Sequence, residues 1–368
     1  MAELAITAGG LRFPNPFVLG SGPPGTSGEV IERSFELGWG GIVCKTLSLE
    51  SDKVVNTVPR YAKLLGSGGK RDVIGFQNIE LISDRPFATW LPELARCKRR
   101  FPERILIASI MEEHDRARWH EITERTQATG VDALELNLSC PHGLPERRMG
   151  SAMGQDPEIV AEVVGWVKEV AAVPVWAKLT PNITDITLPA RAAVAAGADG
   201  ISAINTILCT IGIDLETFRP LPTVEGHSEP GGYSGRAVRP IALRQVMECA
   251  RACPGVPISG MGGIETAADA AQFLLVGAST VQICTGAMLH GYGIIDGLCS
   301  GLAALLDARG LARVADLVGR SLPYFTTHAD LVARQRAAGR GPAAHPGPAG
   351  HRGGGSDLAR ETDALAGE

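Results

Sequence analysis

One unit, repeated along the chain, constrains its fold more than any other feature: a short apolar run, a polar turn, then an amphipathic helical pattern. The apolar runs are Phe17–Gly20, Gly41–Thr46, Ile105–Met111, Ala133–Leu138, Val173–Leu179, Gly200–Asn205, Val256–Gly260 and Thr280–Cys284. Helical patterns between them include Glu29–Leu37, Arg116–Thr129, Pro157–Val170, Leu188–Ala196, Ile241–Cys253 and Thr266–Val276. The runs are continuously apolar rather than alternating, as strands are when both sheet faces are covered. About eight units over roughly 300 residues is the count of a (β/α)8 barrel, slightly above the typical size. An open doubly wound sheet is the competing architecture. It usually carries a glycine-rich nucleotide turn after its first strand. Here Gly20-Ser21-Gly22-Pro23-Pro24-Gly25 places two prolines where the helix would start, which ranks that fold lower.

Ahead of the first run, Leu4–Thr7, Gly9-Gly10 and Leu11–Phe13 read as a short hairpin. Two insertions break the repeat, Ser48–Gln77 after the second strand and Leu208–Gly235 after the sixth. Both leave the carboxyl end of the strands, so they are expected to be loops that act as lids or contact substrate. From about residue 336 the composition turns to Gly, Pro and Ala, which cannot build a core. The expected organisation is a barrel over residues 1–320, an extension over 321–335 and a disordered tail over 336–368.

Net charge of −5 and a pI near 6.0 argue against a nucleic-acid surface. Lys98-Arg99-Arg100 reads as a solvated helix end. No apolar run is long enough to cross a bilayer, and Met1-Ala2-Glu3-Leu4 lacks the features of a signal peptide. The eight cysteines are scattered, as in a reducing cytoplasm, where the protein is expected. No Cys-x-x-Cys spacing occurs, so neither a zinc site nor an iron–sulfur cluster is expected.

Chemistry concentrates at the strand ends. Asn137-Leu138-Ser139-Cys140-Pro141-His142 follows the fourth strand, and Cys140 is a thiol able to donate a proton. The competing reading is a small buried hydrophobe. Lys45 and Lys178 end the second and fifth strands. A lysine inside an apolar strand must find a partner or a ligand that takes up negative charge. Asn78, Asn137 and Asn205-Thr206 offer carboxamides to a ring with alternating C=O and N–H groups, provided that they converge. After the seventh and eighth strands, Gly262-Gly263 and Cys284-Thr285 stand where barrels of this kind hold phosphate.

Taken together, Asn15-Pro16-Phe17, Lys45-Thr46, Asn78-Ile79-Glu80, Asn137-Leu138-Ser139-Cys140-Pro141, Lys178-Leu179-Thr180-Pro181-Asn182, Asn205-Thr206, Gly231-Gly232-Tyr233-Ser234-Gly235 and Gly262-Gly263-Ile264 resemble the flavin-dependent dihydroorotate and dihydropyrimidine dehydrogenases over roughly residues 4 to 310. Cys140-Pro141-His142-Gly143, Glu146-Arg147-Arg148-Met149-Gly150 and Gly154-Gln155-Asp156-Pro157-Glu158 look like the dihydropyrimidine branch. The resemblance implies an FMN barrel that interconverts uracil or thymine and its 5,6-dihydro form. Cys140 would exchange the proton at C5 while a hydride moves between C6 and flavin N5. Asn78, Asn137, Ser139, Asn205 and Thr206 would hold the base. Ser21, Lys45, Thr46, Lys178, Gly235, Gly262, Gly263, Cys284 and Thr285 would form the flavin site. Dihydropyrimidine dehydrogenases of this type pass electrons through cysteine-rich iron–sulfur segments absent from this sequence. Electrons would then pass to a partner subunit or straight to a soluble oxidant. A homo-oligomer without nucleic-acid or membrane partners is expected. The alternatives are a dihydroorotate dehydrogenase, a flavin-free phosphate-binding lyase or isomerase with Lys178 as Schiff-base amine, and a non-catalytic barrel.

Overall fold

The computed structural model describes residues 2–70, 72–139 and 150–338. They divide into two compact units, the second of which begins at Pro323.

The first unit opens with the expected hairpin, β1 (Ile6–Ala8) against β2 (Leu11–Phe13). Ala8 faces Leu11, so Gly9 and Gly10 form a two-residue turn with φ of 57° and 78°. Two successive positive φ values define the type I′ hairpin turn, which glycine adopts without a Cβ penalty. The chain then runs through β3 (Phe17–Leu19), α1 (Gly28–Glu36), β4 (Gly41–Val43), β5 (Tyr61–Leu65), β6 (Val73–Asn78), α2 (Phe87–Arg100), β7 (Ile105–Ile110) and α3 (Arg116–Gln127). There follow β8 (Ala133–Asn137), α4 (Ser151–Gly154), α5 (Pro157–Val170), β9 (Val175–Lys178), α6 (Thr187–Ala195), β10 (Gly200–Ala203), β11 (Ile207–Cys209) and β12 (Gly231–Ser234). The unit finishes with α7 (Arg239–Ala252), β13 (Ile258–Met261), α8 (Ala267–Leu275), β14 (Thr280–Ile283), α9 (Thr285–His290) and α10 (Ile294–Ala308).

Among the described residues, eight strands close a barrel in the order β3-β4-β7-β8-β9-β10-β13-β14. Neighbouring strands pair in parallel, and Phe17 on β3 meets Val281 on β14 at the closure. These eight are the eight apolar runs of the sequence, with ends shifted by up to three residues. Every residue in them is buried. This is a TIM barrel, and closure rules out the open sheet. Side chains at i and i+2 share a face, so Trp176 points into the barrel below Lys178. It lies against the hairpin turn, where a Cβ on Gly9 would stand 3.0 Å from the indole. A Cβ on its register partner Gly200 would come within 2.5 Å of the same ring.

Helix starts follow the expected capping chemistry. Ser27, Asp115 and Asp156 accept backbone N–H groups at the starts of α1, α3 and α5, and Thr266 with Asp269 makes a capping box on α8. The basic run 98–100 is not simply solvated. Lys98 Nζ lies 2.7 Å from Asp132, and Arg100 pairs with Glu32.

The expectation for the two insertions is corrected. They are not loops alone: β5 and β6 from the first pair with β12 and β11 from the second, forming a four-stranded sheet in the order β11-β12-β6-β5. The β6–β12 pairing, Asn78 opposite Gly232, joins positions 154 residues apart. A segment as glycine-rich as Gly231–Ser234 becomes a strand only because a partner from elsewhere in the chain is presented to it.

In the second unit, α11 (His328–Ala337) is capped by Thr327, whose side chain accepts the N–H of Asp330. The helix buries none of its residues and extends past residue 336, where composition placed the start of the tail. The rest of that tail lies outside the described residues. Among the described residues, no helix is long and apolar enough to cross a membrane.

Candidate active site

The carboxyl ends of the barrel strands and the inner edge of the insertion sheet surround a cavity of about 1080 Å³, part of it open to solvent. The barrel strand ends supply Lys45, Asn137, Lys178, Asn205, Gly262 and Cys284, and the insertion sheet supplies Tyr61, Phe76, Asn78 and Tyr233.

Both lysines are backed by carboxylates. Lys45 Nζ lies 3.0 Å from Glu80 Oε2, and Glu80 also accepts Arg60 Nη1 at 3.0 Å and Tyr61 Oη at 2.9 Å. Burial and the neighbouring Glu80 push the Tyr61 phenol well above its ordinary value, so it stays a donor. Lys178 Nζ lies 3.3 Å from Glu135 Oε2, inside the barrel, and the lysine is 4% exposed. Buried ions persist where partners offset their desolvation.

The carboxamides converge. Asn205 Nδ2 donates to Ser139 Oγ at 2.8 Å and to Asn137 Oδ1 at 3.3 Å, and Ser139 Oγ donates to Asn137 Oδ1 at 3.2 Å. Asn137 Nδ2 donates to Thr46 Oγ1 at 3.0 Å, and Thr46 Oγ1 shares further hydrogen bonds with Ser109 at 2.9 Å and Ser21 at 3.4 Å. From the opposite wall, Asn78 Nδ2 donates to Gly232 O at 3.3 Å, orienting its side chain beside the cavity.

The glycines and hydroxyls after the last two strands shape one end of the cavity. Gly263 has φ 71°, and a Cβ there would fall 2.6 Å from Gly235 O, so only glycine fits. Ser234 Oγ and Thr285 Oγ1 are 2.8 Å apart. Burial pushes the Cys284 thiol up to about 11, opposed by the positive charge of Lys178 and Lys45.

Of the residues expected from sequence, Ser21, Lys45, Thr46, Asn78, Asn137, Lys178, Asn205, Thr206, Gly262, Gly263, Cys284 and Thr285 line the cavity. Two stand behind its wall instead. Ser139 is fully buried beneath Asn205, and Gly235 packs its carbonyl against Gly263. Cys140, expected to be the catalytic acid, lies outside the described residues, as do Pro141 to Met149. Sequence reasoning missed Glu80, Glu135, Tyr61, Tyr233 and Gln282. Glu135 carried a usable signal, since a carboxylate inside an apolar strand demands a partner. Glu80 and Tyr233 stood inside quoted motifs without being given a role, and Tyr61 carried no signal, because its strand was read as a loop.

The residues present suit a large polar-edged cofactor. Gln282 lines the cavity, yet its buried Oε1 has no hydrogen bond within the protein, leaving an acceptor for a ligand N–H. The glycine-lined end excludes side chains and leaves backbone and hydroxyl groups to face an anion. Among the described residues no group of His, Cys, Asp or Glu is arranged to hold a metal.

A family profile described as dihydroorotate dehydrogenase matches residues 3–306. The chain is 55% identical over 344 residues to the chloroplastic dihydropyrimidine dehydrogenase (NADP(+)) of Arabidopsis thaliana, covering 91% of this chain and 81% of that protein. It is 43% identical over 322 residues to the NAD-dependent dihydropyrimidine dehydrogenase subunit PreA of Escherichia coli K12, covering 86% and 76%. It is 36% identical over 321 residues to the catalytic subunit of dihydroorotate dehydrogenase B (NAD(+)) of Pyrococcus abyssi, covering 87% and 99%. Among solved structures, the DHODH of Eimeria tenella in complex with ferulenol shares the fold, with a TM-score of 0.71 at 21% identity over 87% of this chain and 88% of that one. On the profile match and these identities, the chain belongs to the dihydroorotate dehydrogenase family.

Proposed function

We propose that this chain is an FMN-dependent oxidoreductase acting on a CH–CH bond, which interconverts a pyrimidine base, uracil or thymine, and its 5,6-dihydro form. The observation that carries the reading is the pairing of the cavity's polar groups. Its two lysines, Lys45 and Lys178, are each paired with a carboxylate, while Asn78, Asn137, Asn205 and Thr206 bring neutral donors and acceptors to the same space. A neutral base with alternating C=O and N–H groups matches that set. Dihydroorotate carries a carboxylate, and among the described residues both lysines lining the cavity already face a carboxylate, Glu135 for Lys178 and Glu80, which Arg60 shares, for Lys45. The identity to relatives named as dihydropyrimidine dehydrogenases points the same way.

Ser21, Lys45, Thr46, Lys178, Gly262, Gly263, Cys284 and Thr285 would hold FMN, with Gly235 supporting Gly263 from behind. When bound, FMN supplies a two-electron acceptor for the hydride at C6 of the substrate. Asn78, Asn137, Asn205 and Thr206 hold the base, and Ser139 keeps Asn137 and Asn205 in one orientation. Cys140, three residues after Asn137, moves the proton at C5. A partner chain would complete the electron path, as relatives named as subunits suggest. The chain's own cysteines have no cluster-binding spacing.

Anaerobic titration tests the reading. The purified protein should be yellow, and dihydrouracil or dihydrothymine should bleach it, whereas dihydroorotate should not. Bleaching by dihydroorotate alone would move the assignment to the family's other activity. Colourless protein that is trapped by borohydride on Lys178 would replace it with Schiff-base chemistry.

A further inference from the structure

The barrel interior beneath Lys178 holds a carboxylate that the proposed reaction does not use. Glu135 lies on β8, two residues before Asn137, and is 1% exposed. Its Oε1 accepts Ser202 Oγ from β10 at 2.7 Å and Gln282 Nε2 from β14 at 2.6 Å. These are the fourth, sixth and eighth barrel strands, and alternate strands form one layer of a barrel core. Such layers are normally filled by Val, Ile or Leu; this one is polar. Its second oxygen, Oε2, makes no hydrogen bond and faces Lys178 Nζ at 3.3 Å. An ionised carboxylate fully removed from water costs several kcal/mol unless a charge offsets it. The layer therefore holds Oε1 rigidly with two donors and aims Oε2 at the lysine.

We propose that Glu135 is the positioning residue of the site: it fixes the Lys178 ammonium at the cavity floor and offsets its charge. This deepens the FMN reading and rests on it. A flavin gains negative charge on two-electron reduction, and an uncompensated ammonium beside it would favour the reduced form. Glu135 opposes that field from the far side of Lys178, in an interior where charges act strongly on one another. The carboxylate thus keeps the bound flavin a better hydride donor than the lysine alone would allow.

The test is a potentiometric titration of the flavin-loaded protein and its Glu135→Gln variant. Glutamine keeps the shape and an oxygen for Ser202 and Gln282 but removes the charge. The ratio of reduced to oxidised flavin at fixed ambient potential should rise at least ~10-fold, a positive shift of about 30 mV for a two-electron couple. Glu135→Asp, which keeps the charge but shortens its reach, should fall between the two. In a Lys178→Met background the Glu135→Gln shift should be smaller, because the part that comes from holding the ammonium in place is gone and only the direct field of the carboxylate remains. If Lys178→Met loses flavin, the graded order of Glu, Asp and Gln decides alone. No shift, a negative shift, or the same shift without Lys178 would overturn the proposal, as would failure of both Glu135 variants to fold. Wild-type protein without flavin would instead overturn the reading of the site itself.

Discussion

At the scale of single residues, the site is a set of side chains whose partners are set by strand register. Asn137 and Lys178 are direct neighbours across β8 and β9, and Ser202 is opposite Lys178 on β10. Replacing Cys140 with Ala should leave FMN bound and lower turnover by roughly 10²–10⁴-fold, the usual contribution of a general acid or base. Stopped-flow reduction by dihydrouracil, with flavin content read in parallel, checks this. Asn205→Ala removes donors to Ser139 and Asn137 and frees a buried acceptor, a loss of about 1–3 kcal/mol. It should appear as a raised KM with flavin content unchanged. Cys284 gives a pH prediction. Burial pushes its thiol up to about 11, and only the thiolate reacts with alkylating agents. Iodoacetamide labelling of Cys284, followed by mass spectrometry, should be slow at neutral pH and accelerate as the pH rises toward that value. The residue types of the site were legible in the sequence, because polar groups ending apolar strands stand out. Their pairings were not. Nothing about Lys178 alone says that Glu135, forty-three positions earlier, faces it.

At the scale of elements, the eight barrel strands were readable because each is buried on both faces and therefore predominantly apolar. The insertion sheet was not, because its strands are partly exposed and β6 pairs with β12 from a distant part of the chain. It nevertheless forms a wall of the site. A Cβ on Gly75 of β6 would lie 1.9 Å from Tyr233 Oη, so Gly75→Ala must push that ring aside. Overpacking of this kind costs about 1–3 kcal/mol, and we expect a lower Tm together with weaker FMN retention, both measurable by thermal scanning with flavin fluorescence. A second element-scale contact ties α1 to α2. Glu93 accepts Gly28 N at 2.7 Å and Arg85 at 2.9 and 2.5 Å. The Arg85 hydrogen bond and the Gly28 N–H hold the Glu93 carboxyl below its ordinary value, against burial, which raises it. A carboxylate whose folded value is depressed adds stability that is full above its unfolded value, near 4.3, and is lost as pH falls through the folded one. Tm should therefore drop below about pH 4, and Glu93→Gln should lower Tm at neutral pH while making that acid drop shallower.

At the scale of the whole molecule, one hydrophobic core runs through the barrel and its surrounding helices, with Trp39, Trp90, Trp119 and Trp176 among its largest fully buried side chains. What the sequence by itself determined is the architecture and the chemical inventory. Continuous apolar runs at a regular spacing demand a doubly covered parallel sheet, and eight of them suffice to close it. Amides, hydroxyls, lysines and glycines at their carboxyl ends mark where that barrel does its work. What only the tertiary structure decided is which of those groups touch, because charge pairing inside a barrel depends on register between strands far apart in the chain. The Lys178–Glu135 and Lys45–Glu80 pairs, and the sheet built from two insertions, exist only once closure brings their partners within hydrogen-bonding distance.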